Sequence, residues 1–464
     1  MNIALGIVIV YIVVLYAVSW YSTKLSKGGY LGYLLAGRGF GPGIVATMIA
    51  GLAIGGASTI GVAESAYKSG MAAGWYNAAW AAGAVLAGFL VAERMRQFET
   101  TSVPEILERH FDTSGRVIGV FGQIVIQMVI TSLQYVAGGA ILAALMPEFF
   151  TFNTGMAVSA VVFIGITLVG GYWAAGLSNI INVIVIYVGV VIGAVLVVGN
   201  AGGFTKMMAS LPAGHPGMDL FAGLPMAMII AWFAVMLTQT QSIQAVAQIA
   251  FAAKDGKKAK LGFILGGLII FPAGFICAIF GIAAAAKFPG IAPAMALPKV
   301  LLELNPWAAG LALSGLWAAD VSTAVGLLLG SSTLVVNDIY KRFINPDLPE
   351  KQQMLISRLT VLGISILTYW MATSAVGIIK TLLIGLTLTT SYTVVILGLL
   401  FTPGLCKKGS AFWTLLTGIA FLALWQFVPA IRIVSHPIYL AWPVAIVTFL
   451  AVYFLDPRPA KVKG

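Results

Sequence analysis

The sequence predicts an all-α polytopic membrane protein of about 13 transmembrane helices, organised as one membrane domain over 1–464. Three observations lead there. Of the 464 residues, 60% are hydrophobic and only 9% charged, whereas a soluble domain carries roughly 25% charged residues. Apolar runs long enough to cross a bilayer recur from end to end. The basic residues collect in alternate gaps between those runs.

A crossing needs about 20 mostly apolar residues. Taken in order, spans are predicted near 3–22, 44–66, 71–92, 115–146, 155–172, 176–200, 224–248, 260–286, 308–336, 353–374, 378–403, 411–429 and 437–455. The first run precedes Lys24 and Lys27 and has no basic residue ahead of it, which suits a retained helix with its start outside. With that orientation, twenty of the 26 Lys and Arg residues fall in cytoplasmic segments. The bias predicts an inner (plasma) membrane protein with its N-terminus outside and its C-terminus cytoplasmic. The 53 glycines and 19 prolines fit membrane helices that approach closely and tolerate breaks.

The net charge of +11 sits in short loops and forms no continuous basic stripe, so nucleic acid is not an expected partner. Cys277 and Cys406 lie in or beside apolar runs and read as small buried hydrophobes. No HExxH, GxSxG or phosphate-cradling loop is present, and His110, His215 and His436 fall in loops or at span ends. The chain is therefore not expected to be an enzyme.

Two spans are broken by composition. The second carries Gly51, Gly55, Gly56, Ser58 and Thr59 at its centre, and the seventh carries the polar run Thr238–Gln244. Loosened backbone and polar side chains at this depth are tolerated only against protein or a water-filled cavity. These spans stand five apart, at the starts of two five-helix units, 44–200 and 224–403. Flanking them are a peripheral first helix (1–30) and peripheral C-terminal helices (404–464). Paired discontinuous helices in matching positions are a mark of transporter binding sites. Plainer readings exist for each: tight packing for the glycines, and an interhelical hydrogen-bond network for the polar run.

Four segments carry a resemblance. They are Gly61-x5-Tyr67-x2-Gly70, Thr101-Ser102-Val103-Pro104-Glu105-Ile106-Leu107-Glu108-Arg109, Gln239–Gln244, and Ala319-Asp320-Val321-Ser322-Thr323 followed by Asn337-Asp338-Ile339-Tyr340. In this order they resemble the motifs of the sodium:solute symporter family, which includes the sodium/glucose cotransporters. The resemblance implies a leucine-transporter-type core of two inverted five-helix repeats with discontinuous first helices. It further implies sodium-driven uptake of a small organic solute by alternating access, with Na+ as the coupling ion.

Carried over residue by residue, the family's sodium site falls on the carbonyls of Gly51, Ile54 and Ala319 and the hydroxyls of Ser322 and Thr323. Hard cations take oxygen ligands, and Ala319, Ser322 and Thr323 share one helix face. The plainer reading has both hydroxyls bonding back to their own helix. The family's solute site falls on Ser58, Asn77, Trp80, Trp232, Met236 and Gln239, a mix of apolar walls and few polar groups. Asn77 stands where sugar carriers have a carboxylate, which disfavours hexoses.

Two departures matter. Ser178-Asn179 replaces the Thr-Asp pair usual in the family, which favours a single sodium site. Asp320 replaces an apolar residue, and an ionised carboxylate at mid-membrane costs about 2.5–3.5 kcal/mol on insertion scales. It reads as a cation ligand, a proton-coupling group, a counter-charge for a basic solute, or half of a structural pair with Lys380 or an interhelical donor. The rivals to sodium symport are proton coupling on the same fold and, less favoured, a transporter-like membrane sensor. The bilayer, sodium and the solute are the expected partners, and no obligatory protein partner is evident.

Overall fold

The computed structural model describes residues 3–25, 29–145, 147–373 and 378–461. Helices account for nearly all regular structure among them, joined by only two isolated bridges. Those of eight residues or more are, in chain order, α1 (Ile3–Ser22), α2 (Pro42–Ala53), α3 (Val62–Ser69), α4 (Trp75–Ala87), α5 (Val103–His110), α6 (Thr113–Leu145) and α7 (Phe152–Asn200). There follow α8 (Met226–Gln239), α9 (Gln244–Ala252), α10 (Gly256–Lys287), α11 (Pro306–Thr333), α12 (Glu350–Ala372), α13 (Ile378–Leu386), α14 (Thr389–Phe401), α15 (Ser410–Phe427) and α16 (Ile438–Leu455). A π-helix at Leu334–Ile344 extends α11.

Among the described residues, ten helices are long and apolar enough to cross a membrane, or eleven if α8 and α9 form one bent span. The expected thirteen follow only if two continuous stretches each count twice. At about 1.5 Å per residue, the 49 residues of α7 would reach more than twice the thickness of a hydrocarbon core. Gly171 (φ 60°, ψ −151°) divides that helix, in a conformation side chains disfavour. Gly70 (φ 61°) likewise separates α3 from the helix after it.

Packing sorts the helices. In the crossing window of Pro306–Ile344, 89% of residues are buried, against 28% for α1, α12, α15 and α16. So α11 is the core of the molecule and those four form its lipid-facing rim. α10 packs along α2, α3 and α4, while α11 packs on α7 and α6. Glycines permit the closest contacts: a Cβ on Gly281 would stand 2.3 Å from the Ala63 carbonyl, and one on Gly262 2.3 Å from Val45.

The start of α2 and the end of α9 are tied by main chain. Phe40 N–H donates to Ala252 O at 3.1 Å and Lys254 N–H to Phe40 O at 2.9 Å. Nearby, Arg116 at the start of α6 bonds Asp338 at 2.7 Å and Glu108 of α5 at 2.5 Å, and Arg342 bonds Glu108 at 2.9 Å. Ser102 Oγ donates to the same Asp338 oxygen at 2.8 Å. Burial acts to raise the Glu108 carboxyl, but hydrogen bonds from Arg342, Arg116 and Thr113 outweigh it and hold it at about 2.

Candidate sodium and solute site

The second predicted span is broken where the glycines fall. Glycine costs about 1 kcal/mol relative to alanine inside a helix, and three lie within six residues. α2 ends at Ala53, Ile54 leaves the helix (φ −86°, ψ 74°), and a π-turn resumes at Ala57–Gly61. The seventh span breaks too: α8 and α9 meet at a 46° bend across Thr240–Ile243.

The first break faces α11. Ser322 Oγ lies 2.8 Å from the Gly51 carbonyl oxygen and 2.8 Å from that of Ala319. Thr323 Oγ1 lies 3.0 Å from Gly51 O, 3.2 Å from Leu52 O and 3.1 Å from Ala319 O. Each hydroxyl thus has a carbonyl on its own helix and another across the break within reach, so the two readings of these side chains meet at one point. Uncharged hydroxyl and carbonyl oxygens gathered this way are the donor set an alkali ion takes. Of the five expected ligands, only Ile54 shows no oxygen in this cluster of hydrogen bonds; it supplies the non-helical turn beside it.

Asn179 lies behind the cluster. Its Oδ1 stands 2.7 Å from where a Cβ on Gly51 would be, its Nδ2 donates to Met48 Sδ at 3.0 Å, and Asn182 Nδ2 donates to it at 3.4 Å. Asp320 is fully buried, and neither carboxylate oxygen has a hydrogen-bond partner among the described residues. Its Oδ1 rests against the main chain of Gly56, 2.8 Å from where a Cβ would be. The side chain of Lys380, named as a partner for it, lies outside the described residues.

A narrow cavity of about 20 Å³ lies beside the first break. Leu52, Gly55, Tyr76, Trp80, Gln134, Gln239 and Thr323 are among its walls. Of the six solute residues carried over from the family, Trp80 and Gln239 reach it, and the Gln239 Oε1 there has no partner among the described residues. The other four are placed elsewhere. Ser58 donates its hydroxyl to Ala53 O. Asn77 is buried against Gly274 of α10, with both side-chain polar atoms unpartnered among the described residues. Trp232 packs edge-on against Tyr76 at 5.9 Å between ring centroids. The Met236 sulfur accepts from Gln239 Nε2 at 3.3 Å, and its carbonyl abuts Gly83. Tyr76, one residue before Asn77, takes the wall position; a helix turns about 100° per residue, so this offset exchanges one face for another.

Gln134 was not singled out from the sequence. Its Oε1 accepts the Gly56 N–H at 2.8 Å, and its Nε2 donates to Ile130 O at 3.0 Å. A Cβ on Gly55 would lie 2.6 Å from that Oε1 and 2.5 Å from Thr323 Oγ1. The bare glycine therefore leaves room for Thr323 Oγ1 and the Gln134 amide side by side on the cavity wall.

Comparison with known proteins bears on the family and the fold. The model of the sodium:solute symporter family matches residues 33–418. The osmoregulated proline transporter OpuE of Bacillus subtilis is 25% identical over 383 residues, covering 79% of this chain and 76% of its own. The sodium/proline symporter of Haemophilus influenzae is 26% identical over 380 residues, covering 76% and 73%. Among solved structures, a Na+-coupled sialic acid symporter in a substrate-bound outward-open state superposes with a TM-score of 0.82 at 17% identity, over 100% of both chains. The nucleobase-cation-symport-1 transporter Mhp1 in a closed conformation gives 0.63 at 15% identity, over 91% and 92%. The fold is thus of the leucine-transporter type with inverted repeats, and the chain is a multi-pass membrane transporter, not an enzyme. From the ordered motifs, the helical fold and a match running through most of its length, the chain belongs to the sodium:solute symporter family.

Proposed function

We propose that this sodium-coupled symporter imports a compact organic solute with one sodium ion per cycle by alternating access. The Gly51 carbonyl, within 2.8 and 3.0 Å of the Ser322 and Thr323 hydroxyls, carries the reading. Sodium held by these oxygens, with the carbonyls of Ile54 and Ala319, fastens the first broken helix to α11. Gly55 and Thr323 also line the cavity, so the ion and the solute share a wall. Sodium then raises the fraction of carrier competent to bind solute, and so its apparent affinity. An inward potential adds about 2.3 kcal/mol per 100 mV for one charge, roughly fifty-fold accumulation.

The two repeats are assigned to 44–200 and 224–403, with the start of the chain outside and the Arg116–Glu108–Arg342 end in the cytoplasm. Among the described residues no charged side chain lines the cavity, which suits a small neutral or zwitterionic solute fixed by the amides of Gln134 and Gln239. Since relatives are named as proline transporters, L-proline is the first compound to try, within a metabolite panel. The test is radiolabelled uptake into proteoliposomes with sodium replaced by choline, at several pH values. Sodium-dependent uptake is expected, and uptake indifferent to external sodium refutes the proposal. Asp320, buried and unpartnered among the described residues, favours proton coupling as the second reading; uptake that follows the pH gradient without sodium would select it.

A further inference from the structure

The two helix breaks lie far apart in sequence, yet each is closed by a glutamine of the same helix, α6. At the first, Gln134 Oε1 accepts the Gly56 N–H at 2.8 Å. At the second, Gln123 is bidentate: its Oε1 accepts the Gln244 N–H at 2.9 Å and its Nε2 donates to the Ser242 carbonyl at 2.9 Å. Both side chains are buried. A helix break leaves main-chain donors and acceptors without their usual partners, and orphaned groups are costly away from water. A glutamine amide offers one acceptor and two donors, so it can replace both halves of a lost backbone bond.

The spacing makes the arrangement mechanical. Eleven residues are about three turns of helix, so Gln123 and Gln134 project from one side of α6, roughly 16 Å apart along its axis. The helix between them is unbroken over Thr113–Leu145. At the upper contact there is no slack. Gln134 is braced by its bond to Ile130 O, and the Gly55 Cβ position lies within 2.6 Å of both its Oε1 and Thr323 Oγ1. A shift of Gly55–Gly56 against Thr323 must therefore move the Gln134 amide or break its bond to Gly56. At the lower contact, Gln123 grips the two residues that flank Ile243, beside the end of the helix that brings Gln239 to the cavity.

We propose that Gln134 and Gln123 are positioning residues that make α6 a strut between the two broken helices, so that sodium at the first break tightens the second. The inference rests on the sodium reading above. The probe is Na+ alone, against choline, on the full chain in lipid nanodiscs, read by hydrogen–deuterium exchange. In the wild type, sodium is expected to slow exchange by about tenfold at 51–59 and also at 240–244. In Gln134→Met the slowing at 51–59 persists, while that at 240–244 falls below about twofold, and Gln123→Met gives the same pattern. Gln134→Glu keeps an acceptor for the Gly56 N–H and retains the transmission. Wild-type protection confined to the first break overturns the strut, as does unchanged transmission in either methionine variant. Wild type in which neither break responds to sodium overturns the sodium reading itself, and the strut with it.

Discussion

The two breaks solve one problem by opposite means. At Ile54–Gly56 the chain gives up side chains: glycines let α11 and α6 reach the bare backbone, and the Gly51 carbonyl is met by two hydroxyls. At Thr240–Ile243 it adds side chains. Ser242 Oγ lies 2.9 Å from Thr393 Oγ1, Thr393 Oγ1 donates to Thr238 O at 2.7 Å, and Gln123 holds both flanks. A break made of naked carbonyls suits a hard cation; one stitched by hydroxyls and amides suits a hinge beside an organic solute. A broken helix in each unit thus does not imply similar chemistry.

That contrast can be broken in three ways. The largest effect is expected at the first break, where Ser322→Ala with Thr323→Val removes two oxygens from the proposed cage. The sodium concentration for half-maximal uptake should rise by about a hundredfold or more, since two cation contacts are lost. Unchanged sodium dependence would show that these hydroxyls only close their own helix. Next, Gly56→Ala places a Cβ 2.4 Å from Ala137 Cβ and 2.8 Å from Asp320 Oδ1. Overpacking of this kind costs about 1–3 kcal/mol, read as a fall in melting temperature in detergent; a variant as stable as the wild type means the break has room to spare. At the second break, Thr393→Val should slow uptake by roughly fivefold, the worth of about 1 kcal/mol of hydrogen bonding, and leave the sodium dependence alone. A change in sodium dependence there would erase the distinction between the breaks.

The smallest effect lies outside both. Burial lowers the His436 imidazole from 6.5 to about 4; Ile438 N–H donates to its Nδ1 at 3.2 Å. A base whose folded value is depressed takes up protons more readily when unfolded. Its contribution is therefore present above pH 6.5 and lost as pH falls towards about 4. Cooling of the melting temperature by a few degrees between neutral pH and pH 5 is expected, and His436→Gln should remove most of it. Glu108 adds nothing in that window, because its stabilisation fades only below the ordinary carboxyl range, towards about 2.

What could be read in advance follows the physics of each feature. Crossings were legible because hydrocarbon demands apolar length, and both breaks were legible because glycine and clustered polar residues violate that demand. The pairing of Gly51 with Ser322 and Thr323 came from family motifs, and the geometry places those groups together. Of the solute residues, Trp80 and Gln239 line the cavity. Asn77 and Tyr76 are neighbours in sequence but face α10 and the cavity respectively, and helix rotation is fixed by packing that no single segment reveals. Gln123 and Gln134 look in the sequence like ordinary polar residues of an apolar helix. Their partners are main-chain groups more than seventy residues away, which carry no side-chain signature. The crossings within 152–200 were expected as two helices with a connection, whereas the chain turns at the single residue Gly171.

The paired main-chain bonds between Phe40 and the end of α9 set a constraint on how this carrier evolves. Their donors and acceptors belong to the backbone, so no exchange of side chains short of proline at 40 or 254 can delete them. Any excursion that parts the two ends must surrender both, at about 1 kcal/mol apiece. Side-chain mutation can therefore tune the parting of these two ends only through the packing around them, such as the stacking of Phe40 on Tyr172 and its edge-on contact with Trp173.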